Sequence, residues 1–135
     1  MTIVRLLSGP SGTDAALDLA VGPALLAAMA AEGGDPWLRI YRPSPTVAMT
    51  GRDKLLPGFD AAVQVSRAQG FVPVRRSSGG RAAAYTDQAI CLDHIGYSAT
   101  DLHDIKGRFA EYGELLAGAL RSLGCDARMG EVAGE

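Results

Sequence analysis

The chain has 135 residues, of which 47% are apolar and 21% charged, and its net charge is −2. That suits a single domain over 1–135 with a core of its own, and it does not suit a disordered tail. Non-specific nucleic-acid binding needs a broad basic field, which a mildly acidic chain lacks.

Cys91 and Cys125 form no CxxC pair and no zinc spacing, so reduced thiols and a cytoplasmic location are expected. The segment MTIVRLLSGPSG has too short an apolar run for a signal peptide, because Gly9 and Pro10 break it. The longest apolar run, Ala20–Ala31, contains Gly22 and Pro23 and falls short of the roughly 20 residues that span a bilayer. No membrane partner is expected.

In chain order, IVRLL reads as a short strand. A helix follows, with Thr13 as N-cap, Asp14 in its first turn and Leu17, Val21, Leu25 and Met29 on its apolar face. Pro23 should kink or restart it, and Gly33-Gly34 should end it. WLRIYR (37–42) alternates like a strand, and Thr46–Thr50 offers a second. PGFDAAVQVSRAQG reads as a short helix ending at Gly70, FVPVRR as a strand, and QAICLDHI as another. From Leu102 to Leu123 an apolar stripe of Leu102, Ile105, Phe109, Tyr112, Leu116, Ala119 and Leu123 predicts a helix capped by Asp101. Gly107, Gly113 and Gly118 inside it point to close packing. CDARMG should start one more strand. Helices and strands mix without strict alternation, which predicts an α+β domain with a mixed, mainly antiparallel sheet flanked by helices.

Between the strands at FVPVRR and QAICLDHI lies RRSSGGRAAAY, with Arg75, Arg76 and Arg81 around Gly79-Gly80. Two readings are open. Gly-Gly between strands is an ordinary hairpin signal, with solvated arginines. Alternatively, Gly79 and Gly80 adopt positive φ, successive N–H groups form an anion-binding concavity, and the arginines add charge. The small Ala82, Ala83 and Ala84 then leave room for a slender apolar group. Neither GxxxxGK[ST] nor GxGxxG occurs. Arg39, Arg42 and Arg52 could extend the positive site, but Arg39 alternates along a strand and is expected to be solvated. His94 and His103 have no recognised zinc spacing. Cys125 is expected to be a buried or half-buried structural residue, and Cys91 a core residue.

RRSSGGRAAAY closely resembles the signature loop of the lipoate–protein ligase A, octanoyltransferase and biotin–protein ligase superfamily. DAALDLA, LRIYRPSPTVAMTGRD and PGFDAAVQVSRAQGFVPVRR resemble its first helix, a strand pair ending in Gly-Arg, and the helix and strand that deliver the loop. The likeness covers about residues 14 to 130, and the wording of the loop is closest to the lipoate branch. It implies a class II aminoacyl-tRNA synthetase/biotin ligase-like fold. It also implies ATP and Mg2+ as co-substrate without a tightly bound metal, and lipoate or octanoate (alternatively biotin) as the acid. The acid is activated to an acyl-adenylate and passed to a lysine on a lipoyl carrier domain of a 2-oxoacid dehydrogenase or glycine cleavage protein. The binding residues implied are Arg76, Ser77, Ser78, Gly79, Gly80, Arg81, Ala82, Ala83, Tyr85 and Arg52. Arg76 would neutralise the anion, and Ala82 and Ala83 would line the acyl slot.

The chain departs from this pattern in three places. Arg81 stands where a third glycine is common. Tyr85, Thr86 and Asp87 stand where an aromatic–His–Asp sequence often follows. The family's reacting lysine has no counterpart, since the only lysines are Lys54 and Lys106. The sequence is therefore expected to be the N-terminal portion of a catalytic domain, with an incomplete core, an open sheet edge or apolar face, and a tendency to self-associate or to pair with a missing C-terminal half. A non-catalytic acyl-binding module is the alternative.

Overall fold

The computed structural model describes residues 3–10, 14–96 and 105–130. It divides into two compact units, Met1–Tyr97 and Ser98–Glu135.

The first unit holds β1 (Arg5–Pro10), α1 (Ala15–Glu32), β2 (Trp37–Arg42), β3 (Thr46–Met49), α2 (Phe59–Ala68), β4 (Val72–Arg75), β5 (Ala83–Tyr85) and β6 (Cys91–Ile95). The strands form two three-stranded sheets, in the orders β1-β2-β6 and β4-β3-β5. In each, the central strand pairs in parallel with one neighbour and antiparallel with the other. The α+β class with mixed sheets is thus the one expected, with parallel and antiparallel pairings two of each among the described residues.

Asp14 caps α1, its Oδ1 accepting from the N–H groups of Ala16 (2.9 Å) and Leu17 (3.2 Å). The expected cap, Thr13, lies outside the described residues. The helix runs through Pro23 as one element, so the proline does not restart it. It closes at Gly33, whose φ is 72° and whose N–H donates to the Met29 carbonyl. Its length and composition would suffice to cross a membrane, yet its buried positions are those of a helix laid on a sheet. They are Ala15, Asp18 and Met29, whereas Leu17, expected on the apolar face, is 59% exposed. Val21 and Leu25 are half-buried and Met29 buried, as expected, and only at the first turn does Asp18, held by a charge pair described below, take the inward place instead of Leu17. Tyr41, Ala48, Met49 and Ile95 are buried from the strand side.

The two strands flanking the glycine segment are not hairpin partners. β4 and β5 lie on opposite sides of β3, with Met49 opposite Arg75 and Ala48 opposite Ala83. QAICLDHI contributes only Cys91–Ile95, which joins the other sheet beside β2.

The second unit is α3 (Ile105–Ser122) and the segment after it. The expected start at Leu102 with the Asp101 cap lies outside the described residues. Phe109 is 74% and Leu123 80% exposed. A Cβ on Gly113 would collide with the Met129 side chain, whereas one on Gly118 would meet nothing. Close packing therefore accounts for Gly113 and not for Gly118. CDARMG is not a strand. It is irregular, and Arg121 Nε holds it to the helix by donating to the Ala127 carbonyl at 2.8 Å. Cys125 is exposed rather than buried.

Candidate functional site

The segment from Arg76 to Ala82 leaves β4 and enters β5, and so wraps the C-terminal end of β3. Its base is tied to that strand, since the Arg76 N–H donates to the Met49 carbonyl at 2.8 Å. Its curvature is set by the Arg76 side chain, whose Nη2 donates to the carbonyls of Gly79 (3.0 Å) and Arg81 (2.8 Å). The carbonyls thus turn toward the guanidinium. Among the described residues, the N–H groups of Ser77, Ser78, Gly79, Gly80 and Arg81 find no protein acceptor. Exposed amides gathered in a turn, with two of its carbonyls held on the guanidinium, can bind an anion. Gly80 has φ 98° and Gly79 does not adopt positive φ, so only one of the two expected positions requires glycine on backbone grounds. Arg81 has ordinary negative φ, which is how this chain accommodates a side chain where a third glycine is common.

The Nη2 of Arg76 organises the loop from within, and its enclosed Nε has no partner among the described residues. Ser77, Ser78, Arg81, Ala82 and Ala83 are exposed. Ala83 stands opposite the fully buried Ala48, and Tyr85 opposite Thr46. Tyr85 is half-buried. Burial pushes its hydroxyl up from the ordinary value, Cys91, Asp18 and Asp93 push the same way, and Arg76 opposes them. Arg52 follows β3 at the same end and is exposed.

A second polar cluster lies in this unit, and the expectation of a solvated Arg39 is overturned by it. Arg39 is 5% exposed. Its Nη1 donates to the Asp18 carbonyl (2.7 Å) and to Asp93 Oδ2 (3.2 Å), and its Nη2 to Asp18 Oδ1 (3.0 Å). The guanidinium also sits 3.6 Å from the Tyr41 ring centroid, a cation–π contact. Asp18 Oδ2 is buried without a partner. Burial raises the Asp18 carboxyl above its ordinary value even though Arg39 opposes the shift. Cys91 is half-buried. Burial pushes its thiol up, against a hydrogen bond with Tyr41. The cluster was discoverable from one signal, an aspartate in phase with Gly22, Leu25 and Met29 of an otherwise apolar helix. Among the described residues no three His, Cys, Asp or Glu side chains converge on a metal site. His94 is exposed, and His103 lies outside the described residues.

The fold defines an α+β protein whose most distinctive element is the glycine loop closed around a strand end. The chain belongs to the lipoyl protein ligase A/B catalytic domain family, whose model matches residues 14–134. It is 28% identical over 121 residues to the octanoyl-[GcvH]:protein N-octanoyltransferase of Geobacillus kaustophilus, a match covering 90% of this chain and 43% of that protein. Among solved structures it resembles protein Ta0514 of T. acidophilum with bound lipoic acid (TM-score 0.77, 25% identity, 99% of this chain and 53% of that one). It also resembles a lipoate-protein ligase A bound with ATP (TM-score 0.69, 26% identity, 98% and 51%). A third likeness is to the bi-partite lipoate protein ligase of Thermoplasma acidophilum, studied with its E2 lipoyl domain (TM-score 0.76, 25% identity, 98% and 50%). The chain thus spans about half the length of the relatives it matches.

Proposed function

We propose that this chain provides the anion- and acyl-binding part of a cytoplasmic lipoate or octanoate protein acyltransferase. It would act by ATP-dependent formation of an acyl-adenylate, with transfer to a lysine of a lipoyl carrier domain. The observation that carries this reading is the row of N–H groups from Ser77 to Arg81 that have no protein acceptor among the described residues, in a loop whose Gly79 and Arg81 carbonyls are held by Arg76. The adenylate phosphate or the carboxylate would accept from those amides, with Arg52 and Arg81 adding positive charge. The acyl chain would lie along the small residues Ala82 and Ala83. Mg2+ would arrive on the nucleotide phosphates, since the described residues offer no carboxylate cluster for it. Neither Lys54 nor Lys106 lies in the glycine loop.

The likeness to an octanoyl-[GcvH]-dependent enzyme favours a second reading, in which the acyl donor is a carrier protein and ATP is not used. Calorimetric titration with octanoyl- and lipoyl-adenylate analogues tests the site itself. Failure of both to bind, with the fold intact, would overturn the proposal. Labelled octanoate with ATP, compared with an octanoyl-carrier donor, separates the two readings by which one labels an acceptor carrier domain.

A further inference from the structure

We propose that Asp53 is a positioning residue that locks the turn after β3 and so holds Arg52 beside the glycine loop; this rests on the anion-binding reading above. Thr50, 2% exposed, closes the strand. Its N–H and its hydroxyl both donate to Asp53 Oδ2, at 2.6 and 2.8 Å, and the Asp53 N–H donates back to Thr50 Oγ1 at 3.3 Å. These reciprocal bonds enclose only Gly51 and Arg52. On the far side, the Arg52 carbonyl accepts from the Leu55 N–H at 3.0 Å and the Asp53 carbonyl from the Leu56 N–H at 3.0 Å. The backbone of Arg52 is therefore pinned from both directions while its side chain stays exposed. One residue before Thr50, the Met49 carbonyl holds the Arg76 N–H, so the turn and the loop hang from the same strand end.

The choice of aspartate is informative. Asparagine caps such a turn as well, without setting a negative charge near an anion site. Asp53 is held below the ordinary carboxylate range, first by the Thr50 N–H, then by the Thr50 hydroxyl, with help from Arg76 and Arg52. It is ionised at neutral pH and partly offsets both arginines. The carboxylate thus has two separable effects, an ordered Arg52 and a moderated local charge.

The two effects predict opposite signs for two substitutions. Asp53→Asn keeps an acceptor for Thr50 and removes the charge. Asp53→Ala removes both. The probe is inorganic pyrophosphate at low salt, with Arg52 Nε–Hε relaxation measured by NMR on the same samples. We expect Asp53→Asn to bind about twofold to fivefold tighter, and Asp53→Ala about fivefold weaker, the size of one net hydrogen bond. In an Arg52→Ala background the two variants should bind alike, each keeping only the gain from the lost charge, and with Arg52 present its Nε should become more mobile in Asp53→Ala alone. A purely structural aspartate would destabilise both proteins without this sign reversal. Equal affinity of Asp53→Ala and Asp53→Asn, or an equal gap between them in the Arg52→Ala background, would overturn the inference. If the parent itself binds neither pyrophosphate nor the adenylate analogues, the proposed function fails. The positioning role is then decided by Arg52 relaxation, and an Arg52 equally ordered in Asp53→Ala overturns it.

Discussion

The Cβ that Gly80 lacks would stand 3.0 Å from Nη2 of Arg76, the nitrogen that donates to the Gly79 and Arg81 carbonyls. Gly80 is therefore required by its φ of 98°, and a Cβ there would also displace the end of the Arg76 side chain that holds the loop. A non-glycine residue held in such a region costs about 1–3 kcal/mol. Gly79 has neither constraint, since φ is ordinary and a Cβ there would meet nothing within 4 Å. Gly80→Ala should lose most adenylate-analogue binding and lower the melting temperature by roughly a few degrees at most, because the exposed loop can relax to relieve part of that strain. Gly79→Ala should bind within about twofold of the parent, the scale of a small backbone-entropy effect. Paired titrations check this, and equal losses in both variants would show that loop conformation does not govern binding.

Much of this architecture was legible because local chemistry dictates it. Gly33, Gly70 and Gly80 mark positive-φ positions, and WLRIYR and TVAM are strands within a residue of the reading. What was not legible depends on distant partners. Nothing in RRSSGGRAAAY says that its two flanking strands straddle a third, and nothing in QAICLDHI says that its end joins a different sheet. The expected face of α1 holds at Val21, Leu25 and Met29 and fails at Leu17, because a buried guanidinium on β2 pairs with Asp18 in that turn. The irregular path of 125–130 follows from Arg121 and from Met129 against Gly113, contacts that a strand propensity cannot anticipate.

Arg76→Lys tests whether the guanidinium is needed for its shape or only for its charge. Lysine keeps the cation but presents a single flexible ammonium in place of a planar fork. It cannot reproduce the pair of bonds to Gly79 and Arg81 with the same geometry. The loop should lose about 1–2 kcal/mol of order, the net worth of one or two such bonds. We expect roughly tenfold weaker analogue binding and lower backbone NMR order parameters confined to residues 77–82. Retention of parent affinity would mean that charge alone suffices at this position.

The two thiols should differ in reactivity. Cys125 is exposed. Cys91 is half-buried, and burial lifts its thiol above the ordinary value despite the Tyr41 hydrogen bond. The thiolate is the reacting species, so at pH 7.5 iodoacetamide should label Cys125 well before Cys91. Tyr41→Phe removes the bond that lowers the Cys91 value, and should slow Cys91 further without affecting Cys125. Peptide mass spectrometry of timed samples reads both rates. Faster labelling of Cys91 would contradict the burial of this cluster.

The Asp18–Arg39 pair gives a stability prediction with a defined pH dependence. Both side chains are enclosed, at 9% and 7% of their free exposure, and removing one partner from such a pair costs about 3–5 kcal/mol because the other charge is left buried. Arg39→Met should therefore lower stability by about 3 kcal/mol at pH 7. The Asp18 carboxyl is already raised in the folded protein, through burial, while Arg39 holds it down. With Arg39 gone it must rise further. A carboxyl raised on folding contributes stability that is full below its unfolded value, near 3.8, and is lost as pH rises through the folded value. The deficit of Arg39→Met relative to the parent should accordingly shrink as pH falls from 7 toward 4. Adding Asp18→Leu removes the stranded charge. The double variant should recover most of the loss, because an apolar pair of similar volume replaces a buried ion pair at little cost. Urea melts of the parent, the single variant and the double variant at several pH values supply the comparison. A pH-independent deficit, or no recovery in the double variant, would show that Arg39 stabilises this unit by packing over Tyr41 rather than by holding the Asp18 charge.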